Sequence, residues 1–337
     1  MRKNEYENVR LYQPGRKQPR VVAIGGGHGL SAMLRGLKRY SKNLTAIVTV
    51  ADDGGGSGML REDLGMLPPG DIRNCIMALA NTEPTMEQLL NYRFSEGSLA
   101  GQSFGNLFLA AMNGISGSFD EAVHRMGDVL AITGRVLPVT NQNVHLEAEF
   151  DNGSRVLGES KIFYAKKIND CRIRQVRLIP EHPTPLPESL QAIADADMII
   201  LGPGSLYTSI IPNFLVDGIS EAIAASKALR VYVMNIMTQD GETDGYTGED
   251  HVRAILEHAG KNIIDVCVAN NRAVSEEALA PYRVEGVEQL LLEKERIEAM
   301  GVRVREFPLS EGSRYIRHNP DELARALFTV LQEFRGA

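Results

Sequence analysis

A chain of 337 residues, 43% of them hydrophobic, with a formal net charge of −7, can bury a substantial core and has no general attraction for nucleic acid or an anionic membrane. The composition excludes a disordered chain, and no run reaches the roughly 18 apolar residues of a membrane span, so the expected compartment is the cytoplasm. Cys75, Cys171 and Cys267 are scattered among apolar neighbours, which argues against a metal set or a disulfide framework.

Residues 1–19 mix basic, amide and proline residues without a period and read as a flexible arm, and residues 20–337 as one nucleotide-binding domain. Val21-Val22-Ala23-Ile24 is a short buried strand, Gly25-Gly26-Gly27-His28-Gly29 a glycine loop, and Leu30, Met33, Leu34 and Leu37 follow at helical spacing. Backbone N–H groups at such a helix start attract phosphate oxygens. His28 either donates to a phosphate or base or caps the turn. The next apolar run, Leu44 to Val50, completes a βαβ unit and enters Asp52-Asp53-Gly54-Gly55-Gly56-Ser57-Gly58. Adjacent carboxylates ahead of so many glycines form one wall of a nucleotide site, or else a solvated turn. If Gly27, Gly29 and Ala32 are taken as G-x-G-x-x-A, Asp52 meets a ribose hydroxyl as in an NAD site, whereas a Mg²⁺ pair would use Asp52 and Asp53 together.

Pro68-Pro69-Gly70 then delivers a helix over Ile72 to Ala80, with Asp71 as the expected cap and Arg73 and Asn74 left to face a ligand. Helices are also expected over Thr85 to Phe94, Phe104 to Met112 and Phe119 to Ala131; Ser103-Phe104-Gly105-Asn106 reads first as an ordinary helix start. From Arg135 to Ile179 the period is two, clearest in Val144, Leu146, Ala148 and Phe150, with Asp151-Asn152-Gly153 as a hairpin turn. That predicts an antiparallel insertion over about residues 135–180.

The α/β alternation then resumes. Met198 to Leu201 runs into Gly202-Pro203-Gly204-Ser205, Val231 to Met234 into Asn235 and a polar loop holding Thr243 and Asp244, and Ile263 to Ala269 into Asn270-Asn271-Arg272. A strand over Val302 to Phe307 and a helix over Asp321 to Phe334 close the chain. Every buried run thus ends in small, polar or charged residues. Ligands of open parallel sheets bind at the carboxyl ends of the strands, so these ends should share one crevice. The expected class is α/β: a Rossmann-like, mainly parallel sheet with flanking helices, a helical block and an inserted antiparallel β element.

Ile24 to Leu30, Val50 to Gly58, Pro68 to Asn74, Leu201 to Ser209 and Met237 to Tyr246 together resemble the YvcK-like branch of the YvcK/CofD-like proteins, also called gluconeogenesis factor proteins. The likeness runs from Arg20 to the last helix and rests on several ordered motifs. It implies a cytoplasmic bacterial regulator that binds UDP-N-acetylglucosamine and coordinates central carbon flow with envelope synthesis and cell shape, without a required cofactor. Glucosamine-6-phosphate synthase is the partner it implies; neither nucleic acid nor membrane is, and a homo-oligomer is left open. By match to the family's tyrosine and Ile-Arg-His segment, Tyr282 and Arg317 join the candidate contacts. An arginine fork suits a diphosphate, and a tyrosine stacks on uracil or bonds a hydroxyl. Two departures stand out, since the family has threonine at the position of His28 and serine at that of Gly56. The other branch transfers 2-phospholactate to a deazaflavin with the corresponding aspartates on substrate or metal, which makes a Mg²⁺-dependent phospholactyl transferase the alternative and an NAD-binding protein the second. The Gly-Pro-Gly-Ser-Leu-Tyr loop favours the regulatory branch.

Overall fold

Continuous apolar runs, buried on both faces, suit the centre of a parallel sheet. The computed structural model describes residues 18–169, 171–284, 286–311 and 315–336. In chain order its strands are β1 (Val21–Gly25), β2 (Leu44–Val48), β3 (Arg135–Pro138), β4 (His145–Phe150), β5 (Arg155–Leu157), β6 (Ile173–Ile179), β7 (Met198–Leu201), β8 (Leu229–Val233), β9 (Val266–Asn270), β10 (Arg303–Phe307), β11 (Ser310–Glu311) and β12 (Arg317–His318). Seven of them form one parallel sheet in the order β10-β9-β8-β7-β1-β2-β3. The chain builds outward from β1 to β3, then returns to lay β7 on the other side of β1. The strand order therefore reverses between β1 and β7, and this is the switch point at which such sheets bind ligands. The flexible-arm reading falls largely on residues 1–17, outside the described residues.

Helix α1 (Gly27–Leu37) buries Leu30, Met33, Leu34 and Leu37. On its outer side it meets the last helix, Pro320–Gly336, so closely that a Cβ on Gly36 would lie 2.0 Å from the Pro320 carbonyl oxygen. Between β2 and β3 stands the helical block: α2 (Gly55–Leu64), α3 (Gly70–Leu79), α4 (Pro84–Asn91), α5 (Phe104–Gly114) and α6 (Phe119–Val129). Helix α2 starts inside the glycine run, which was expected to be a loop. Tertiary contact outweighs propensity there: Ser57, Gly58, Leu60 and Arg61 are buried, and the Arg61 guanidinium donates to Asn143 Oδ1 and the Val144 carbonyl, both at 2.5 Å.

The antiparallel insertion is smaller than the period-two pattern implied. Its three strands run in the order β5-β4-β6, with helix α7 (Glu159–Asn169) between β5 and β6. Strand β3, expected inside the insertion, is instead the edge of the parallel sheet. An edge strand is half solvated and alternates as an antiparallel strand would, which explains the misplacement. Strands β11 and β12 add a short antiparallel pair. Among the described residues no helix is long and apolar enough to cross a membrane.

Candidate functional site

Two glycine loops meet at the switch point. Gly26 occupies the cap position of α1 without a side-chain bond to the helix, and Gly27 (φ +67°) donates its N–H to the Asp71 carboxylate. A Cβ on Gly29 would stand 2.7 Å from the Pro203 carbonyl oxygen, and one on Gly204 would stand 3.2 Å from that of Gly26. The loops after β1 and β7 are therefore in backbone contact, which any larger side chain would force apart. Asn235, following β8, donates from Nδ2 to the Gly204 carbonyl at 2.9 Å. Beneath them the fully buried Asn213 donates to Gly25 O (3.3 Å) and Ser209 O (2.8 Å). Gly202 lies at the close approach of β7 to β1, and Ser205 is half-buried at the head of the Leu206–Ile210 turn.

The wall after β2 is acidic. Asp52 Oδ1 accepts from Gly54 N at 2.9 Å, and the Ser57 hydroxyl donates to the same carboxylate; burial nevertheless raises its pKa. Asp53 Oδ1 accepts from Ser160 N at 2.8 Å, tying α7 of the insertion to this wall. Asp71 does not cap α3, whose cap position is Pro69. One residue inside the helix, it turns back to Gly27 and links α3 to the β1 loop. Burial, followed by the charge of Asp52, pushes its carboxyl up to about 6.

Sequence reasoning missed two further carboxylates. Glu159, at the start of α7, is pushed up to about 8 by burial and then by Asp52, Glu242, Asp53 and Asp71. Glu242 is 3% exposed, and its Oε1 accepts from Tyr207 N (2.5 Å) and Thr208 N (3.1 Å), anchoring the turn after the second glycine loop. Its place in a run of polar loop residues gave no signal of burial. Among the described residues no three His, Cys, Asp or Glu side chains are arranged to hold a metal ion. A Mg²⁺ bridging ligand phosphates needs only one or two carboxylates, and Asp52 and Asp53 are the pair that would supply them.

Opposite the acids lie cations. Burial, then the charges of Arg317, Arg73 and Arg35, lower the pKa of His28, so its imidazole is neutral at pH 7 within an electropositive rim. Arg73 is 8% exposed; it donates from NH2 to Asn74 Oδ1 at 2.8 Å, and its Nε has no partner. Arg317 is exposed, with its guanidinium 5.5 Å from the centre of the Tyr315 ring. The Tyr282 hydroxyl accepts from Ile316 N at 2.7 Å, and its ring packs in a satellite cluster with Ile236, Ala278, Leu279 and Ile316. It thus sets the approach of the Arg317 strand. Thr243 and Asp244 hold their own loop, the first accepting from Gln239 N at 2.9 Å and the second from Gly241 N at 3.1 Å. Asn270, the last residue of β9, likewise accepts from Leu309 N and Ser310 N, each at 2.9 Å.

A family profile described as "2-phospho-L-lactate transferase CofD" matches residues 21–310, which span both glycine loops, the acidic wall and the insertion. The chain belongs to the CofD family. Within it the similarity runs to gluconeogenesis factors, the YvcK-like branch. The chain is 53% identical over 320 residues to a putative gluconeogenesis factor of Clostridium acetobutylicum, covering 94% of this chain and 70% of that one. It is 45% identical over 320 residues to the gluconeogenesis factor of Bacillus subtilis, covering 94% and 99%. A crystal structure of a Bacillus halodurans protein superposes with a TM-score of 0.89 at 45% identity, covering 93% of this chain and all of that one. The α/β fold described above is thus shared with an experimentally solved structure.

Proposed function

We propose that this CofD-family protein is a cytoplasmic sensor of UDP-N-acetylglucosamine that links central carbon metabolism during gluconeogenic growth to envelope precursor synthesis and cell shape. The observation that carries the reading is the backbone contact of the β1 and β7 glycine loops at the switch point, beside an α1 start that no side chain caps. A diphosphate on these loops takes the N–H groups of His28 and Gly29 and of Gly204 and Ser205, with Arg317 supplying charge. Asp52, Asp53 and Asn235 then meet hydroxyls of ribose or sugar, and Tyr282 positions the outer rim. The names of the relatives support a regulatory role, and glucosamine-6-phosphate synthase, which makes the precursor of this sugar, is the proposed partner.

Calorimetry with UDP-N-acetylglucosamine is the test. Saturable binding weakened about tenfold or more by Arg317→Ala is expected, since a charge-assisted contact is worth about 1.5–3 kcal/mol. No binding at millimolar ligand sinks the reading. The carboxylates around Asp52 and Asp53, together with the name of the family profile, favour one second reading, a Mg²⁺-dependent phospholactyl transferase. Metal-dependent turnover of a phospholactyl nucleotide would establish that instead. Nothing specific in the crevice favours NAD.

A further inference from the structure

The helical block beside the crevice holds buried polar atoms left without partners. Arg73 is 8% exposed and Gln102 and Asn106 are each 4% exposed, yet Arg73 Nε, Gln102 Oε1 and Asn106 Oδ1 have no hydrogen-bond partner. Such atoms cost about 1–3 kcal/mol each when left unpaired, so three in one neighbourhood mark a place completed by something else. Contacts between the helix starts show the neighbourhood. A Cβ on Gly70, which opens α3, would lie 2.4 Å from Ser57 Oγ in α2; one on Gly56 of α2 would lie 3.0 Å from Gln102 Oε1; and one on Gly105 of α5 would lie 2.6 Å from Arg73 Cδ. The starts of α2, α3 and α5 therefore converge, and neither α2 nor α3 has a side-chain cap.

We propose that Arg73, Gln102 and Asn106 form a sugar-phosphate subsite at the joint starts of α2, α3 and α5, separate from the two glycine loops. The chemistry follows from the inventory of groups. Arg73 has no ion-pair partner among the described residues: it hydrogen-bonds Asn74 Oδ1 at 2.8 Å and Met77 Sδ at 3.9 Å, and it feels a second cation, Arg93, more strongly than the carboxylate of Asp71. A buried guanidinium in that state takes an anion. The amide oxygens of Gln102 and Asn106 accept and so take hydroxyl or amide N–H donors. A phosphate bearing a hydroxylated ring supplies both in one molecule. Gly105 leaves room for the arginine stem, because a Cβ there would sit 2.6 Å from Arg73 Cδ and 2.7 Å from the Leu90 carbonyl oxygen. Residues 95–101 are exposed throughout and lead directly into Gln102, so this short stretch borders the subsite on its solvent side.

The subsite deepens the sugar-nucleotide reading and rests on it for the identity of the whole ligand: the sugar end lies against α5 and the nucleotide end over the glycine loops. Calorimetry on the full chain with UDP-N-acetylglucosamine, UDP and N-acetylglucosamine 1-phosphate separates the two claims. Asn106→Asp keeps the size of the side chain and Arg73→Lys keeps its charge, and the melting temperature of each variant shows that it folds. The expected result is UDP-N-acetylglucosamine bound at least tenfold more weakly by Asn106→Asp with UDP affinity unchanged, and a smaller loss in Arg73→Lys. Wild-type affinity in both variants, or an equal loss for UDP and the sugar nucleotide, overturns the subsite and leaves the sensor standing. Binding of the sugar phosphate that the variants weaken, without binding of UDP-N-acetylglucosamine, overturns the sensor and leaves the subsite. If the wild type binds none of the three, both fall.

Discussion

At the scale of single residues the crevice is built on missing side chains and misplaced protons. Gly29→Ala would set a methyl 2.7 Å from the Pro203 carbonyl oxygen, a backbone atom that cannot rotate away. A loss of about 1–3 kcal/mol is expected in denaturant unfolding, together with loss of ligand binding. Gly114→Ala, where an added Cβ meets nothing within 4 Å, should be neutral or slightly stabilising in the same measurement. Asp71 gives a pH signature. Its carboxyl is raised from 3.8 to about 6 in the folded chain, so it contributes stability that is fully present below the unfolded value and lost as pH rises through about 6. Asp71→Asn should therefore gain on the wild type by on the order of 2–3 kcal/mol between pH 4 and pH 7, and a difference flat with pH would refute the assignment. The adjacent aspartates and the glycines were legible in the sequence because they are concentrated. Glu159 and Glu242 were not, since a lone glutamate gives no sign of burial until the chain folds over it.

At the scale of elements, the bond from Ser160 N to Asp53 Oδ1 ties the insertion to the acidic wall of the crevice. Breaking it tests whether α7 belongs to the site. Asp53→Ala should speed amide hydrogen exchange at Ser160 and its neighbours about tenfold or more. Unchanged exchange would mean that α7 is held by its own packing. Arg39→Ala is the control: its pair with Asp321 is solvated at both ends, 59% and 46% exposed, and should change stability by no more than about 0.5 kcal/mol. The failures of sequence reading at this scale have physical causes. Glycines at the start of α2 hid a helix that burial of Ser57, Leu60 and Arg61 enforces, and the half-solvated edge strand β3 carried the alternation of an antiparallel one. The buried strands β1, β2, β7, β8 and β9 were legible because a doubly covered sheet makes them mainly apolar runs.

For the whole molecule, the decisive property is strand order. Local patterning shows that each run ends in polar or small residues, but it cannot show that β7 returns beside β1, because pairing between strands so far apart in the chain leaves no local mark. The order β10-β9-β8-β7-β1-β2-β3 places the two glycine loops at one switch point, with the acidic wall on the β2 side and Asn235 on the β8 side. A separate cavity of about 380 Å³, lined by Arg20, Lys42 and Arg135, lies at the opposite, amino-terminal edge of the strands and serves as an internal comparison for where a ligand settles. The most direct measurement is a crystal structure of the protein soaked with UDP-N-acetylglucosamine. The account predicts the diphosphate within hydrogen-bond reach of the backbone N–H groups of His28 and Gly29 and of Gly204 and Ser205; density only in the Arg20, Lys42 and Arg135 cavity, or none at millimolar ligand, would contradict it.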